Sequence, residues 1–182
     1  MKKIIVVLFM ISIVLSLTFA ETLSDSFNIN TAVDSINEIK MTQGTPTAGV
    51  SLSGMASPEN FTNGNLIITS DNYKSNISIG NLSVRSNNRA GYKVNVKATA
   101  MKHSDANIYI NYTITFGTGG SAPTLTTNNG TQAARNSTFD QGVMTTMAAQ
   151  HVALSVKVNE ADYEAAVSGS YSGTVILEFV AN

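Results

Sequence analysis

The sequence predicts an all-β protein built as an antiparallel sandwich of two sheets. Apolar and polar residues alternate with period two over several segments, and no long stretch repeats with the 3.6-residue period of an amphipathic helix. Turn residues separate these segments, as at Asn63-Gly64 and Asn129-Gly130. About eight or nine short strands punctuated in this way are typical of an immunoglobulin-like sandwich.

The clearest alternation occurs in three segments, Tyr92 to Ala100, Ile108 to Phe116 and His151 to Val158. In each of them every second residue is apolar, and the residues between are mostly polar. This pattern predicts strands with one face on the core and one face in water.

Shorter segments also favour strands. They are Phe27 to Val33, Ile36 to Met41, Val50 to Ser53, Leu66 to Ser70 and Ile77 to Arg85. In the last of them the apolar phase shifts across Gly80 and Asn81. The shift predicts a β-bulge or tight turn that keeps both halves facing the core.

One long segment, Gly117 to Gln150, is small and polar. A connection of this length is usually either functional or poorly ordered. We expect a partly ordered excursion with one short strand near Thr124 to Thr127 and a helical turn around Val143 to Ala149. Another helical turn is expected over Ala161 to Val167, before the last strand.

The first residues follow the plan of a secretory signal peptide. Two lysines precede an apolar run from Ile4 to Leu17, and small residues ending at Ala20 predict cleavage before Glu21. The run is shorter than the roughly 20 residues of a membrane-spanning helix. We therefore expect residues 1–20 to be a signal peptide. Residues 21–182 are then a single β-sandwich domain without a membrane span, exported to the periplasm, the cell surface or the medium.

Composition excludes several classes of function. Without the two N-terminal lysines, the chain has nine basic and twelve acidic residues. This balance does not predict nucleic-acid binding, which requires an excess of basic residues. The absence of cysteine excludes disulfides, thiolate metal sites and cysteine nucleophiles. His103 is expected in a solvated loop and His151 on the polar face of a strand, and neither belongs to a cluster. The sequence thus predicts no catalytic, cofactor or metal site, and we expect a protein that is not an enzyme.

The last strand, Tyr171 to Ala181, is unusually apolar. Val175, Leu177 and Phe179 form one face, and burying these three side chains is worth about 5 to 9 kcal/mol. Such a strand has to pair and be covered, within its own domain or by another chain.

The ending has a recognisable layout. Gly169 is the fourteenth residue from the C-terminus, and an aromatic residue, Tyr171, follows it. Val175, Leu177 and Phe179 are eighth, sixth and fourth from the end. This ending resembles that of chaperone-usher fimbrial subunits and the related spore coat protein U family. The resemblance implies a pilin-like sandwich whose edge strand is bound by a periplasmic chaperone.

Two features depart from that family. Ala181 stands where the aromatic residue often found next to last would be, and the family's common disulfide has no counterpart in a chain without cysteine.

In such families the subunit lacks one strand, and the N-terminal extension of a neighbouring subunit fills the groove by strand addition. Leu23, Phe27, Ile29 and Val33 alternate in phase just after the predicted cleavage site, interrupted by Asp25 and Thr31. They are the candidate donor segment. The stretch from Phe27 to Val33 also fits the first strand of a self-complete sandwich, and both interpretations remain open at this point.

The sequence therefore leaves two hypotheses. The first is an exported surface or fimbria-like structural subunit that self-associates by strand exchange, with residues 23–33 as donor and residues 171–181 as edge strand. The second is a self-complete sandwich that acts as an adhesin or carbohydrate-binding module. In that case Gly117 to Gln150 would be the loop that recognises a glycan or a host protein.

Overall fold

The structure is a computed structural model that describes residues 28–62 and 64–182. The predicted signal peptide, Leu23 and Phe27 lie outside the described residues. Residues 34–182 form one compact unit. The predicted fold class is confirmed, because the unit is built almost entirely from antiparallel sheets arranged as a sandwich.

The strands are β1 (Asn37–Thr42), β2 (Phe61–Thr62), β3 (Asn65–Leu66), β4 (Ile77–Ser86), β5 (Tyr92–Ala98), β6 (Met101–His103), β7 (Tyr109–Ile110), β8 (Tyr112–Phe116), β9 (Thr124–Thr126), β10 (Ala133–Gln141), β11 (Ala148–Val158), β12 (Tyr171–Ser172) and β13 (Val175–Ala181). A 3₁₀ turn spans Leu52–Gly54, and a short helix, α1, spans Glu160–Glu164.

These strands form two main sheets and two small ones. The first main sheet has the order β1-β4-β11-β8-β9, and the second has the order β10-β5-β13. A small sheet of β12, β6 and β7 and the β2–β3 hairpin complete the described part of the fold. Every pairing is antiparallel.

The core lies between the inner faces of the two main sheets. On β5 the burial alternates along the strand, with the inward residues Tyr92, Val94, Val96 and Ala98 all fully buried. This is the alternation that the sequence shows, and it pairs with the buried Leu82 and Val84 and their neighbours in the first sheet. The three long predicted strands are confirmed as β5, β7 with β8, and β11.

The predicted break in β4 is a β-bulge. The register between β4 and β11 shifts between Ala153 and Ser155, opposite Gly80. Gly80 has a φ of +86°, which only glycine adopts without strain. The bulge keeps both Ile79 and Leu82 on the core side, where both are buried.

Several shorter predictions were wrong because side chains capture the backbone locally. Around Val50 to Ser53 the chain makes a 3₁₀ turn, since the N–H of Leu52 donates to Glu38. After Leu66 the chain turns instead of continuing as a strand, since the N–H of Thr69 donates to Asn72 Oδ1.

The segment from Gly117 to Gln150 also differs from the prediction. The short strand near Thr124 is confirmed as β9, but the segment also contains β10 and the start of β11, which the sequence did not predict. The helical turn expected around Val143 is absent, because the chain there crosses over and Ala148 opens β11 by pairing with Ser86. The helical turn expected near Ala161 is present as α1, capped by Asn159.

Two further predictions concern single positions. Residues 28–33 form no strand, so the predicted first strand is absent from its described part. His103 is not a solvated loop residue but lies in β6 with 8% of its surface exposed, because residues 168–172 fold back over it. His151 is exposed on β11, as expected.

Candidate functional site

The C-terminal strand β13 is an edge strand of the second sheet. It pairs with β5 over its whole length, from Val175 opposite Ala98 to Ala181 opposite Tyr92, without a shift in register. Within residues 28–62 and 64–182, no strand pairs with its other side. The backbone groups on that side are therefore a template for a further strand.

The opposite edge of the same sheet, β10, is blunted. Its register against β5 shifts between Arg135 and Phe139, and Ser137 within this bulge has a φ of +54°. Arg135 also points inward, opposite Val96. A bulge and an inward-pointing charge both prevent unwanted strand addition at an edge. β13 has neither protection.

The one charged residue of β13 is neutralised. Glu178 accepts a hydrogen bond from Lys97 of β5 at 2.5 Å, and the two form an ion pair on the outer side of the sheet. Ile176 and Val180 flank it and are 41% and 43% exposed. β13 is thus a straight, apolar edge whose only charge already has a partner.

An apolar cleft runs beside this edge. We call it the terminal cleft. It is bordered by Val175 and Leu177 of β13 on one side and has a volume of about 380 Å³. Inward-facing residues of the first sheet form its floor, among them Met41, Ile79, Ile114, Leu154 and Val156. Phe61, Leu66, Ile67 and Ile68, in and just after the β2–β3 hairpin, line the other wall.

The cleft lies at the beginning of β13 and not at its C-terminal end. β1 comes near β13 but shares no ladder of backbone hydrogen bonds with it among the described residues. The inner residue nearer the C-terminus of β13, Phe179, is covered, since its ring stacks on Tyr92 at 5.1 Å between centroids. The beginning of the strand, at Val175, is where the cleft lies.

The hydroxyl of Tyr112, which lines the cleft, already has a hydrogen-bond partner. Tyr112 donates its hydroxyl hydrogen to the carbonyl of Thr99 at 2.9 Å. Burial raises the pKa of Tyr112 to about 12, so this phenol stays neutral at physiological pH. The cleft offers apolar surface and a strand edge rather than acid–base chemistry.

Residues 168–173 close one end of the cleft. Tyr171, Ser172 and Gly173 line it, and Tyr171 pairs with His103 across β12 and β6. A Cβ atom at Gly169 would collide with His103 Nε2, which explains why glycine is required there. The predicted edge-strand residues are thus brought together. Gly169 and Tyr171 lie against β6. Val175, Leu177 and Phe179 belong to β13 and lie along β5.

The candidate donor segment is described only in part. Ile29 and Val33 are 84% and 80% exposed, while Leu23 and Phe27 lie outside the described residues. Residues 28–33 have no regular secondary structure. The strand exchange that the sequence suggested stays a prediction.

Sequence reasoning missed the cleft floor and the burial of His103. Alternation marked residues such as Ile79 and Leu154 as inward-facing. It carries no sign of the cleft beside them, because the cleft depends on how distant parts of the chain come together. Glycine at position 169 was the one signal of a close backbone contact near His103.

Other kinds of site have no counterpart in the described part of the chain. Among residues 28–62 and 64–182, no three histidine, aspartate or glutamate side chains are placed to hold a metal ion. No helix in these ranges is long and apolar enough to cross a membrane.

Comparison with known proteins adds no relative: no protein-family model, curated protein or solved structure matches this chain.

Proposed function

We propose that the protein is an exported, fimbria-like structural subunit that assembles by β-strand exchange. Its acceptor is the free edge of β13 together with the terminal cleft, and its donor is residues 23–33 of a second copy. The observation that carries the proposal is the bulge-free, apolar edge of β13 bordering a cleft of about 380 Å³. Strand addition uses both features, since the edge supplies hydrogen bonds and the cleft takes alternate side chains.

The chemistry of the donor fits the acceptor. Leu23, Phe27, Ile29 and Val33 are in one phase, so a strand formed by this segment presents them on one face. Each large apolar side chain that moves from water into an apolar site contributes roughly 1.5 to 3 kcal/mol. Ile29 and Val33 are exposed, so their burial in a neighbouring cleft is a net gain.

Export and chaperoning follow from the same features. The lysines and apolar run before Ala20 support secretion through a signal peptide. Before assembly, an open apolar edge is prone to aggregation. A periplasmic chaperone that lends a strand to β13 is therefore part of the proposal, and the role is structural rather than enzymatic.

The test uses paired substitutions in the donor segment of the full-length chain. Ile29→Asp with Val33→Asp places charges on the apolar phase, while Asn28→Asp with Asn30→Asp adds the same charges on the alternate phase. We expect oligomers that survive detergent without heating in the wild type and in the Asn28/Asn30 variant. The Ile29/Val33 variant and a deletion of residues 21–33 are expected to remain monomeric. Unchanged assembly in these two variants would remove the donor-strand mechanism.

The alternative, an adhesin or carbohydrate-binding module, stays a prediction. It rests on a long recognition loop from Gly117 to Gln150, and β9 and β10 occupy about a third of that segment. No contact among the described residues favours a glycan or a host protein as ligand.

A further inference from the structure

Both ring nitrogens of His103 form hydrogen bonds with backbone groups. Nδ1 accepts a hydrogen bond from the backbone N–H of Asp105 at 3.0 Å. The ring proton is therefore on Nε2, which lies 3.2 Å from the carbonyl oxygen of Ser168 and donates to it. Both ring nitrogens are used, and the arrangement fits only the neutral ring.

The neutral ring fastens residues 168–172 to β6. Its edge meets the ring of Tyr171 at 5.0 Å between centroids, and Gly169 lies directly against Nε2. The N–H of Ser104, the next residue, donates to the carbonyl of Ser170 at 2.9 Å. The side chain of His103 thus contacts Ser168, Gly169 and Tyr171 in the segment that precedes β13.

That segment forms part of the acceptor. Tyr171, Ser172 and Gly173 line the terminal cleft, and β13 begins at Val175. A residue larger than glycine does not fit at position 173, because a Cβ there would lie 2.7 Å from the carbonyl oxygen of Thr99. If residues 168–172 separate from β6, the end of the cleft loses Tyr171 and Ser172 from its wall. The start of β13 stays bonded to β5 through Thr174 and Thr99.

Protonation of the ring is incompatible with this arrangement. A second proton on Nδ1 would point at the N–H of Asp105, so two donors would face each other and a charge would be buried. Histidine is the side chain that ordinarily changes charge between about pH 5 and 8.

None of the ionisable side chains near the ring forms a hydrogen bond with Nδ1 in this arrangement. The carboxylate of Asp105 is engaged by the hydroxyl of Ser104, and the ring would have to turn away from Ser168 to reach it. Lys102 precedes His103 on β6 with its side chain exposed. Tyr171 of β12 meets the ring edge-on, and Tyr109 of β7 donates its hydroxyl hydrogen to Asn107.

We propose that His103 is an acid-sensitive latch on the terminal cleft, which holds a donor strand at neutral pH and releases it when the ring is protonated. This inference rests on the proposed function, because it concerns how the strand acceptor is regulated. A subunit of this kind assembles in a neutral compartment and loosens in an acidic one.

The binding test uses a labelled, N-acetylated peptide of residues 21–33 and the complete chain without its signal peptide. The peptide's acidic groups, Glu21 and Asp25, have ordinary pKa values of about 4 and stay charged in the range used. Between about pH 7.5 and pH 5.5 we expect the dissociation constant to rise measurably but by no more than about tenfold, because uptake of one proton by a released histidine shifts the equilibrium by at most about that factor. His103→Gln is expected to bind with the same affinity at both pH values. His151→Gln, which removes the other histidine, is expected to keep the wild-type profile.

A second measurement covers the case in which His103→Gln does not fold or the peptide does not bind. In ¹⁵N–¹H spectra of the wild-type chain, the signals of Asp105 and residues 168–173 should move together with the titration of the His103 ring. Failure of the peptide to bind at any pH counts against the proposed function, and the spectra then decide on the latch alone. Static signals in these residues, an unchanged affinity at low pH, or a pH response that disappears in His151→Gln would overturn the latch.

Discussion

Arg85 donates a hydrogen bond from Nη1 to Glu38 Oε2 at 3.2 Å, directly across the β4–β1 pair. Arg85 is 9% exposed, and its Nε donates to the carbonyl of Ala48 at 2.7 Å. The carboxylate of Glu38 also accepts from the N–H of Leu52 and the hydroxyl of Ser51. This pair joins β1, β4 and the 3₁₀ turn, and it fixes β1 on its side of the terminal cleft.

Loss of the Glu38 charge should destabilise the fold. Glu38→Gln leaves the buried guanidinium of Arg85 without a counter-charge, so we expect the free energy of unfolding to fall by about 2 to 3 kcal/mol at pH 7. Urea titration measures the change. The matched control is Glu59→Gln, because that exposed carboxylate bonds only to Gln43 and should change stability by less than about 0.5 kcal/mol. Equal effects would show that the pair does not anchor β1.

The same carboxylate predicts a loss of stability in acid. Burial opposes its ionisation, but the N–H of Leu52, the hydroxyl of Ser51 and Arg85 outweigh burial and lower the pKa of Glu38 below its ordinary value of 4.5. A depressed folded-state pKa stabilises the fold at pH values above 4.5, and this contribution disappears as the pH falls through the lower, folded-state value. We expect wild-type stability to drop below about pH 4.5. In Glu38→Gln this part of the drop should be missing, and an identical acid profile would contradict the assignment.

Phe179 should anchor β13 at the covered end. Its ring stacks on Tyr92, and Phe179→Ala is expected to cost about 2 to 3 kcal/mol, less than a fully buried phenylalanine would. Val180→Ala changes the next residue, which is 43% exposed, and should cost under about 1 kcal/mol. Thermal or urea unfolding compares the two. If Val180→Ala cost more, the outer face of β13 would be the covered one.

Gly80 and Gly119 allow the β4 bulge to be tested with a matched pair. Both have positive φ values, +86° and +94°, so alanine at either position carries about 1 to 2 kcal/mol of backbone strain. At Gly80 a Cβ would in addition lie 2.6 Å from Pro58 Cγ and from the carbonyl oxygen of Thr42, whereas at Gly119 it meets nothing within 4 Å. We expect Gly80→Ala to unfold at clearly lower denaturant concentration than Gly119→Ala. Equal midpoints would mean that the bulge is not tightly packed.

The strands that could be predicted from sequence are those whose side chains alternate. β5 is the clearest, since its inward residues are all apolar and its outward ones polar. β10 could not be found this way, because Arg135 lies on the inward side and a bulge interrupts its register with β5. There the pairing with β5 determines the strand, and tertiary contacts outweigh the local pattern.

The candidate site, too, could be predicted from the sequence only in part. The apolar face of Val175, Leu177 and Phe179 is evident in the sequence, and so is the need to cover it. The cleft beside it is lined by residues from distant parts of the chain, and the burial of His103 depends on residues 168–172 folding back. Both are long-range relationships, which no pattern over neighbouring residues contains.

The most direct measurement of the central claim is cross-linking between copies. The native chain has no cysteine, so single cysteines can be placed without background. Asn28→Cys, Asn30→Cys and Ala32→Cys sample the outward phase of the donor segment. Ile176→Cys lies on the outward side of β13, and Val143→Cys, which is 75% exposed, is the control. A disulfide forms only where the two Cα atoms come within about 7 Å.

Each donor variant is unfolded, refolded together with an acceptor variant, oxidised gently, and analysed without reductant. Strand exchange predicts a disulfide between two chains for at least one donor cysteine with Ile176→Cys, and none with Val143→Cys. Cross-linking no greater than the Val143 control, or found only when both cysteines are in the same chain, would contradict assembly through a neighbour's strand.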